Sequence, residues 1–148
     1  MEYQILTQAL APQPLAVVRL QANAGDLSRV IPAACGEVWA FVRSAPIENA
    51  GRHVAVYLDG EINIECGVEV AGPFCGDGRV VPSTTPGGRV ASTVHIGPYH
   101  LLGNAHAAIR KWCRDNGQRS CGPNWEIYGH WNDDPAQVRT DVFYLLDG

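Results

Sequence analysis

His53-Val54-Ala55-Val56-Tyr57-Leu58 closes a run that opens at Phe41, and Asn124-Trp125-Glu126-Ile127-Tyr128-Gly129 closes a run that opens at Trp112. In each run an aromatic residue stands sixteen positions before a tyrosine, and the two runs are offset by 71 residues. Farther on, the stretch from Ile62 to Val70 answers the stretch from Val138 to Leu146 at an offset of 76, the five extra residues being the turn Trp131 to Pro135. A strand, an amphipathic helix and two more strands are thus written twice, giving two half-domains that must pack on each other to close one core. The predicted class is α+β: two strand-helix-strand-strand repeats with pseudo-two-fold symmetry, an antiparallel sheet and two helices on one face. A ligand groove is expected between the halves, because the seam of such a pair is concave.

The rest of the chain fits this frame. Residues 3 to 10 and 14 to 21 read as strand, interrupted by Pro12 and Pro14, which suit a bulge or an edge. Asp26 is placed to cap a helix whose apolar residues Leu27, Ile31, Ala34, Val38, Phe41 and Val42 recur at three and four, with Pro32 and Gly36 predicting a kink. Two strands follow, His53 to Leu58 and Ile62 to Val70, joined by the hairpin signal Asp59-Gly60. The first repeat covers about residues 3–71. Residues 72–88 carry five glycines and three prolines without periodicity and read as the connection, and the second repeat covers 89–148. Val90 to Ile96 reads as strand, and Gly97-Pro98 turns it into a helix with Pro98 at the first helical position. Leu102, Ala105, Ile109, Trp112 and Cys113 form that helix's buried stripe, and Asn116-Gly117 ends it.

Composition narrows the function. A single domain of 148 residues can bury about two thirds of its unfolded surface. With 46% hydrophobic and 18% charged residues the chain is globular, and a net charge of −4 with one lysine, Lys111, argues against a nucleic-acid partner. Neither a signal peptide nor a membrane span is legible, so a cytoplasmic location is the default. The five cysteines lack Cys-x-x-Cys spacing, so neither a disulfide framework nor a zinc site is expected, and Cys35, Cys66 and Cys113 read as core. His100 and His106 are six apart and do not share a helix face, so no metal is expected; no cofactor motif stands out either.

Period-two alternation places Trp125 and Ile127, with their repeat mates Val54 and Val56, on one side of the sheet, expected to pack on the helices. Glu126, Tyr128 and Tyr57 then share the opposite side. An acid flanked by Trp125 and Ile127 in a central strand is unusual, since glutamate is seldom buried unless paired. A solvated Glu beside a Tyr is the ordinary alternative. Its repeat mate is Ala55, so the fold does not require an acid there.

Pro86-Gly87-Gly88-Arg89-Val90-Ala91, His95-x-Gly97-Pro98-Tyr99, Gly122-Pro123-x-x-Glu126-Ile127-Tyr128 and Arg139-Thr140-Asp141 together resemble the GyrI-like small-molecule-binding domains, the effector-binding domains of multidrug-responsive transcription regulators. In the first repeat Phe41, Val54-Ala55-Val56-Tyr57 and Ile64-Glu65-x-Gly67-Val68 fit more loosely. The resemblance implies a groove for bulky, flat, often cationic hydrophobic compounds, with Glu126 at its base and Tyr99 beside it. Trp39, Tyr57, Tyr128 and Phe143 are the candidate walls. No helix-turn-helix is legible in these residues, so a stand-alone binder is expected.

Physics favours such a site. Desolvation disfavours a carboxylate's charged form, and an entering lipophilic cation restores an opposite charge where water was lost. Aromatic faces add about 0.5 to 2 kcal/mol per cation–π contact and accept many flat shapes. Two other readings use the same residues. Some relatives resemble hydrolases of cyclopropane-bearing alkylating natural products, in which Glu126 would activate water and Tyr99 would polarise a carbonyl. A protein partner, such as DNA gyrase or a transcription regulator, is the third; Asp133-Asp134, the one acidic doublet, reads more simply as a turn.

Overall fold

Among the described residues, Val- and Ile-rich segments with period two, punctuated by Gly, Pro and Asp, give eight strands, and the two stretches of 3.6 periodicity give two α-helices. The computed structural model describes residues 3–44, 50–59, 63–129 and 133–147. In chain order the elements are β1 (Leu6–Leu10), β2 (Pro14–Gln21), α1 (Leu27–Ser44), β3 (His53–Tyr57), β4 (Asn63–Glu69), β5 (Val80–Thr84), β6 (Gly88–Ile96), α2 (Gly103–Asp115), β7 (Ser120–Tyr128) and β8 (Arg139–Leu146). The strands form one sheet in the order β1-β6-β8-β7-β3-β4-β2-β5, every pairing antiparallel.

That order is symmetric about its middle. β3 pairs with β7, and each is flanked by its own repeat, β4 and β2 on one side, β8 and β6 on the other. At the centre Ala55 lies directly opposite Glu126. These two are also repeat mates, so the pseudo-two-fold axis passes between them. The offset of 76 holds as well: Ala55 pairs with Cys66 as Glu126 pairs with Val142.

The outermost strands depart from the sequence reading. Residues 72–88, read as a connection, contain β5, which pairs with β2. Residues 6–10, read as part of the first half, pair instead with β6 of the second. A strand of five residues with little alternation leaves no signal of its partner. Only three residues separate β1 from β2, although these strands stand at places one and seven of the sheet. From Leu10 to Pro14 the chain spans about 14 Å at most, so the sheet curls until its two ends lie side by side. Hydrogen bonds from Thr85 N to Gln13 O (2.9 Å) and from Gln13 N to Thr85 Oγ1 (2.9 Å) tie the two crossing links together.

Curling gives the sheet a closed inner face. Leu15, Val17, Val54, Val56, Val90, Trp125 and Ile127 fill it, with Trp125 stacked on Phe143 at 5.3 Å. The expectation that Val54, Val56, Trp125 and Ile127 pack on the helices is therefore corrected: they turn away from them. Alternation separates the two faces of a strand but cannot say which face a helix covers when the other is enclosed by curvature. The helices lie on the outer face. α1 packs on β2 and β4 through Ala34, Cys35, Val38 and Val42; α2 packs on β6 and β8 through Ala105, Ile109 and Cys113. Both cover the flanks, and the β3–β7 seam between them is left open.

Smaller details follow the sequence with local shifts. Pro98 precedes a single 3-10 turn, Tyr99–Leu101, and α2 starts at Gly103 rather than at Pro98. Pro32 and Gly36 lie inside α1. The β3–β4 hairpin forms, with Asp59 accepting from Asn63 N at 3.2 Å; Gly60 of that turn and Trp131 of the later one lie outside the described residues. Cys35, Cys66 and Cys113 are buried as expected.

Candidate ligand-binding site

The open seam is a groove of about 1620 Å³ between α1 and α2. Its floor comes from alternate residues of β3, β7 and β8: Tyr57, Asn124, Glu126, Tyr128 and Tyr144. Its sides come from the helices, Ile31, Cys35 and Trp39 of α1 and His106 and Arg110 of α2 among them. Strand periodicity dictates the floor, because every second residue of β7 from Asn124 points outward once Trp125 and Ile127 point in.

Glu126 sits at the middle of that floor and is only 5% exposed. Both of its carboxylate oxygens are hydrogen-bonded. Tyr128 donates to Oε1 at 2.6 Å and Tyr57 donates to the same oxygen at 3.2 Å, while His106 Nε2 lies 2.6 Å from Oε2. Behind the imidazole, His106 Nδ1 meets the Tyr144 hydroxyl at 2.6 Å, and Arg110 Nη1 donates to that hydroxyl at 3.1 Å. When His106 donates from Nε2 and accepts at Nδ1, one direction of donation runs from Arg110 through Tyr144 and His106 to Glu126. Burial raises the pKa of Tyr57, Tyr128 and Tyr144, and the charge of Glu126 raises it further in each; Arg110 pulls the other way at Tyr144. All three phenols are therefore donors at neutral pH. A buried carboxylate held by three donors from three elements is a fixed negative centre rather than a stray surface acid.

The aromatic residues are arranged around it. Tyr99 is 47% exposed at the rim, its ring edge-on to Tyr128 with centroids 5.8 Å apart. The turn that carries it is pinned from below: buried His95 bonds Pro98 O through Nε2 at 3.0 Å and the Tyr3 hydroxyl through Nδ1 at 2.8 Å. Gly97 takes φ +140 there, a conformation side-chain-bearing residues rarely adopt. Trp39 stands over His53 at 5.8 Å on the opposite wall.

Of the residues singled out in the sequence, the structure brings Glu126, Tyr99, Trp39, Tyr57 and Tyr128 to this groove. Phe143 does not belong with them. It lies on the inner face of the curl, because β8 directs Val142 and Tyr144 outward and Phe143 inward. His106, Tyr144, Arg110 and Asn124 were missed. One signal for His106 was present: the offset of 71 aligns it with Cys35, a small core residue, so a polar ring stands where the other repeat packs a thiol.

The GyrI-like small-molecule-binding domain model matches residues 1–146. The chain belongs to this family. Solved structures agree on the GyrI-like fold. The C-terminal domain of EcmrR superposes with a TM-score of 0.80 at 20% identity, covering 99% of either chain. SAV2435, solved bound to tetraphenylphosphonium, gives 0.67 at 15% identity over 100% of this chain and 95% of that one. A protein from Listeria innocua described as a hydrolase gives 0.64 at 9% identity over 97% and 92%. No curated protein sequence matches this GyrI-like chain. No helix among the described residues is long and apolar enough to cross a membrane, and they contain no cluster of metal-binding side chains.

Proposed function

We propose that this protein binds bulky, planar, hydrophobic and often cationic small molecules in the groove between α1 and α2, in multidrug binding or sequestration. One observation carries the reading: Glu126 is a desolvated, hydrogen-bonded carboxylate at the base of a wide cleft lined by Trp39, Tyr57, Tyr99 and Tyr128. A cation entering the cleft meets a charge that water does not screen and aromatic faces that ask for no directional bond. SAV2435 supports the bulky, lipophilic and cationic part of the reading by its complex with tetraphenylphosphonium, a tetrahedral cation. Titration of tetraphenylphosphonium by calorimetry tests it. Micromolar affinity is expected, weakened about ten-fold or more in Glu126→Gln; affinity unchanged by that substitution removes the carboxylate from the account.

Hydrolysis is the second reading, favoured by the hydrolase description of the Listeria innocua neighbour. Glu126 as base and Tyr99 as polarising hydroxyl would open a cyclopropane-bearing alkylator. Tyr57, Tyr128 and His106 take three of the carboxylate's roughly four lone-pair sites, and the little room this leaves for a water weighs against it. Mass spectrometry of such a compound after incubation decides it: ring-opened product above buffer level favours catalysis.

A further inference from the structure

The groove carries further polar side chains beside the Glu126 cluster. Asn124 lies directly opposite Tyr57 on one side and Tyr144 on the other, in the row of the sheet next to that of Glu126. It is 7% exposed and lines the groove, and its carboxamide makes no hydrogen bond with a described residue. The carboxamide is open to the groove rather than sealed in the protein, since Thr140 Oγ1 is the one fully buried side-chain polar atom without a partner among the described residues, and it is available to a ligand's polar group. Arg110, an exposed residue of α2, reaches the same Tyr144 from above. Its guanidinium lines the same groove, makes one hydrogen bond, to the Tyr144 hydroxyl, and lies within ion-pair distance of no carboxylate among the described residues. The repeat mate of Arg110 is Trp39, so at equivalent places one wall offers a ring and the other a cation.

We propose that the Arg110–Asn124 corner is a carboxylate subsite, and that the preferred ligands are flat zwitterions whose cationic part faces Glu126 while their acid group faces Arg110. This rests on the binding function proposed above and narrows its ligand class. Arg110 has four N–H donors beyond the one Tyr144 takes, in a fork that matches a planar carboxylate, and the Asn124 amide adds a donor from the floor. A purely cationic ligand satisfies Glu126 but leaves this corner facing a hydrocarbon edge. The imidazole of His106 and the phenol of Tyr144 separate the two charged ends, so one rigid aromatic molecule can address both.

Rhodamine 110 and rhodamine 123 test this directly, because they share one cationic ring system and differ in a free carboxylate against its methyl ester. Fluorescence anisotropy is read for the full chain and for Arg110→Gln and Asn124→Asp. Rhodamine 110 is expected to bind about five-fold more tightly than the ester, the scale of one partly solvated ion pair. Arg110→Gln removes that preference, the ratio of the two affinities falling to about one even where the change at Tyr144 lowers both, and Asn124→Asp inverts it by repelling the acid. Equal binding of both dyes, or equal weakening of both by Arg110→Gln, overturns the carboxylate subsite and leaves the cation groove standing. Failure of both dyes to bind overturns the groove function itself, and the subsite with it.

Discussion

Ala55 and Glu126 face each other across the β3–β7 pair and are the same residue of the two repeats, so the carboxylate lies on the pseudo-dyad itself. A duplication puts equivalent side chains in contact at that point and nowhere else. Two glutamates there would stand roughly 5 Å apart at Cβ, each desolvated by the other's presence. One repeat therefore keeps the acid and the other keeps a methyl group. Ala55→Glu is expected to cost about 3 kcal/mol at pH 8. The loss shrinks in acid, where like-charge repulsion is relieved by protonation of one carboxyl of such a pair; urea unfolding at pH 8 and in acid measures it.

Tyr57 and Tyr128 converge on one oxygen of Glu126, and the shorter bond belongs to Tyr128. Tyr128→Phe removes a charge-assisted hydrogen bond and is expected to destabilise by about 2 kcal/mol, Tyr57→Phe by about 1. Chemical denaturation with matched m-values gives both numbers, and a larger loss for Tyr57→Phe contradicts the geometry.

The same tyrosines fix an alkaline limit. Burial raises the pKa of Tyr57, Tyr128 and Tyr144 above 10.0 in the fold, whereas the unfolded chain releases those protons near pH 10. Above that pH the unfolded state binds fewer protons than the native one, so stability falls as pH rises. The contribution is whole below pH 10 and is lost as pH climbs toward the raised values. Absorbance at 295 nm should show the exposed phenols ionising first and these three only with unfolding.

Cys35 lines the groove, yet burial pushes its thiol up to about 12. Cys75 and Cys121 are exposed. Ellman's reagent at pH 8 is expected to label those two quickly and Cys35 only in denaturant. Rapid labelling of a third thiol, traced to Cys35 by peptide mapping, would show an open thiolate where a closed thiol stands.

Trp39 and Phe143 separate affinity from stability. Phe143→Ala breaks the stack on Trp125 inside the curl and is expected to cost about 3 kcal/mol while leaving ligand affinity within two-fold. Trp39→Ala, on the half-open groove wall, does the reverse: little stability is lost and tetraphenylphosphonium binding weakens about five-fold. Thermal melts and calorimetry on the two variants read this out.

How much was legible beforehand follows from what each signal depends on. The duplication, the helices and the central hairpin were written in local periodicity, so their residues could be named. Glu126 stood out because Ala55 showed that the fold makes no demand for an acid there. The pairing of β1 with β6 was silent, since the partner of a short edge strand is set by a crossing link rather than by its own residues. The facing of Trp125 and Phe143 was misjudged for a related reason: curvature of the whole sheet encloses one face, and no single strand reports curvature. Tyr144, Arg110 and Asn124 escaped notice because they gain meaning only through contacts across elements, Arg110 to Tyr144 and Tyr144 to His106.

The exchange of border strands has a mechanical outcome. β1 leaves its own repeat to edge the other, and β5, just ahead of β6, does the same in return. Prying the halves apart along the central seam would tear two ladders at the rim as well as the β3–β7 ladder in the middle. The floor under Glu126 is thereby braced at both borders of the sheet as well as at its centre.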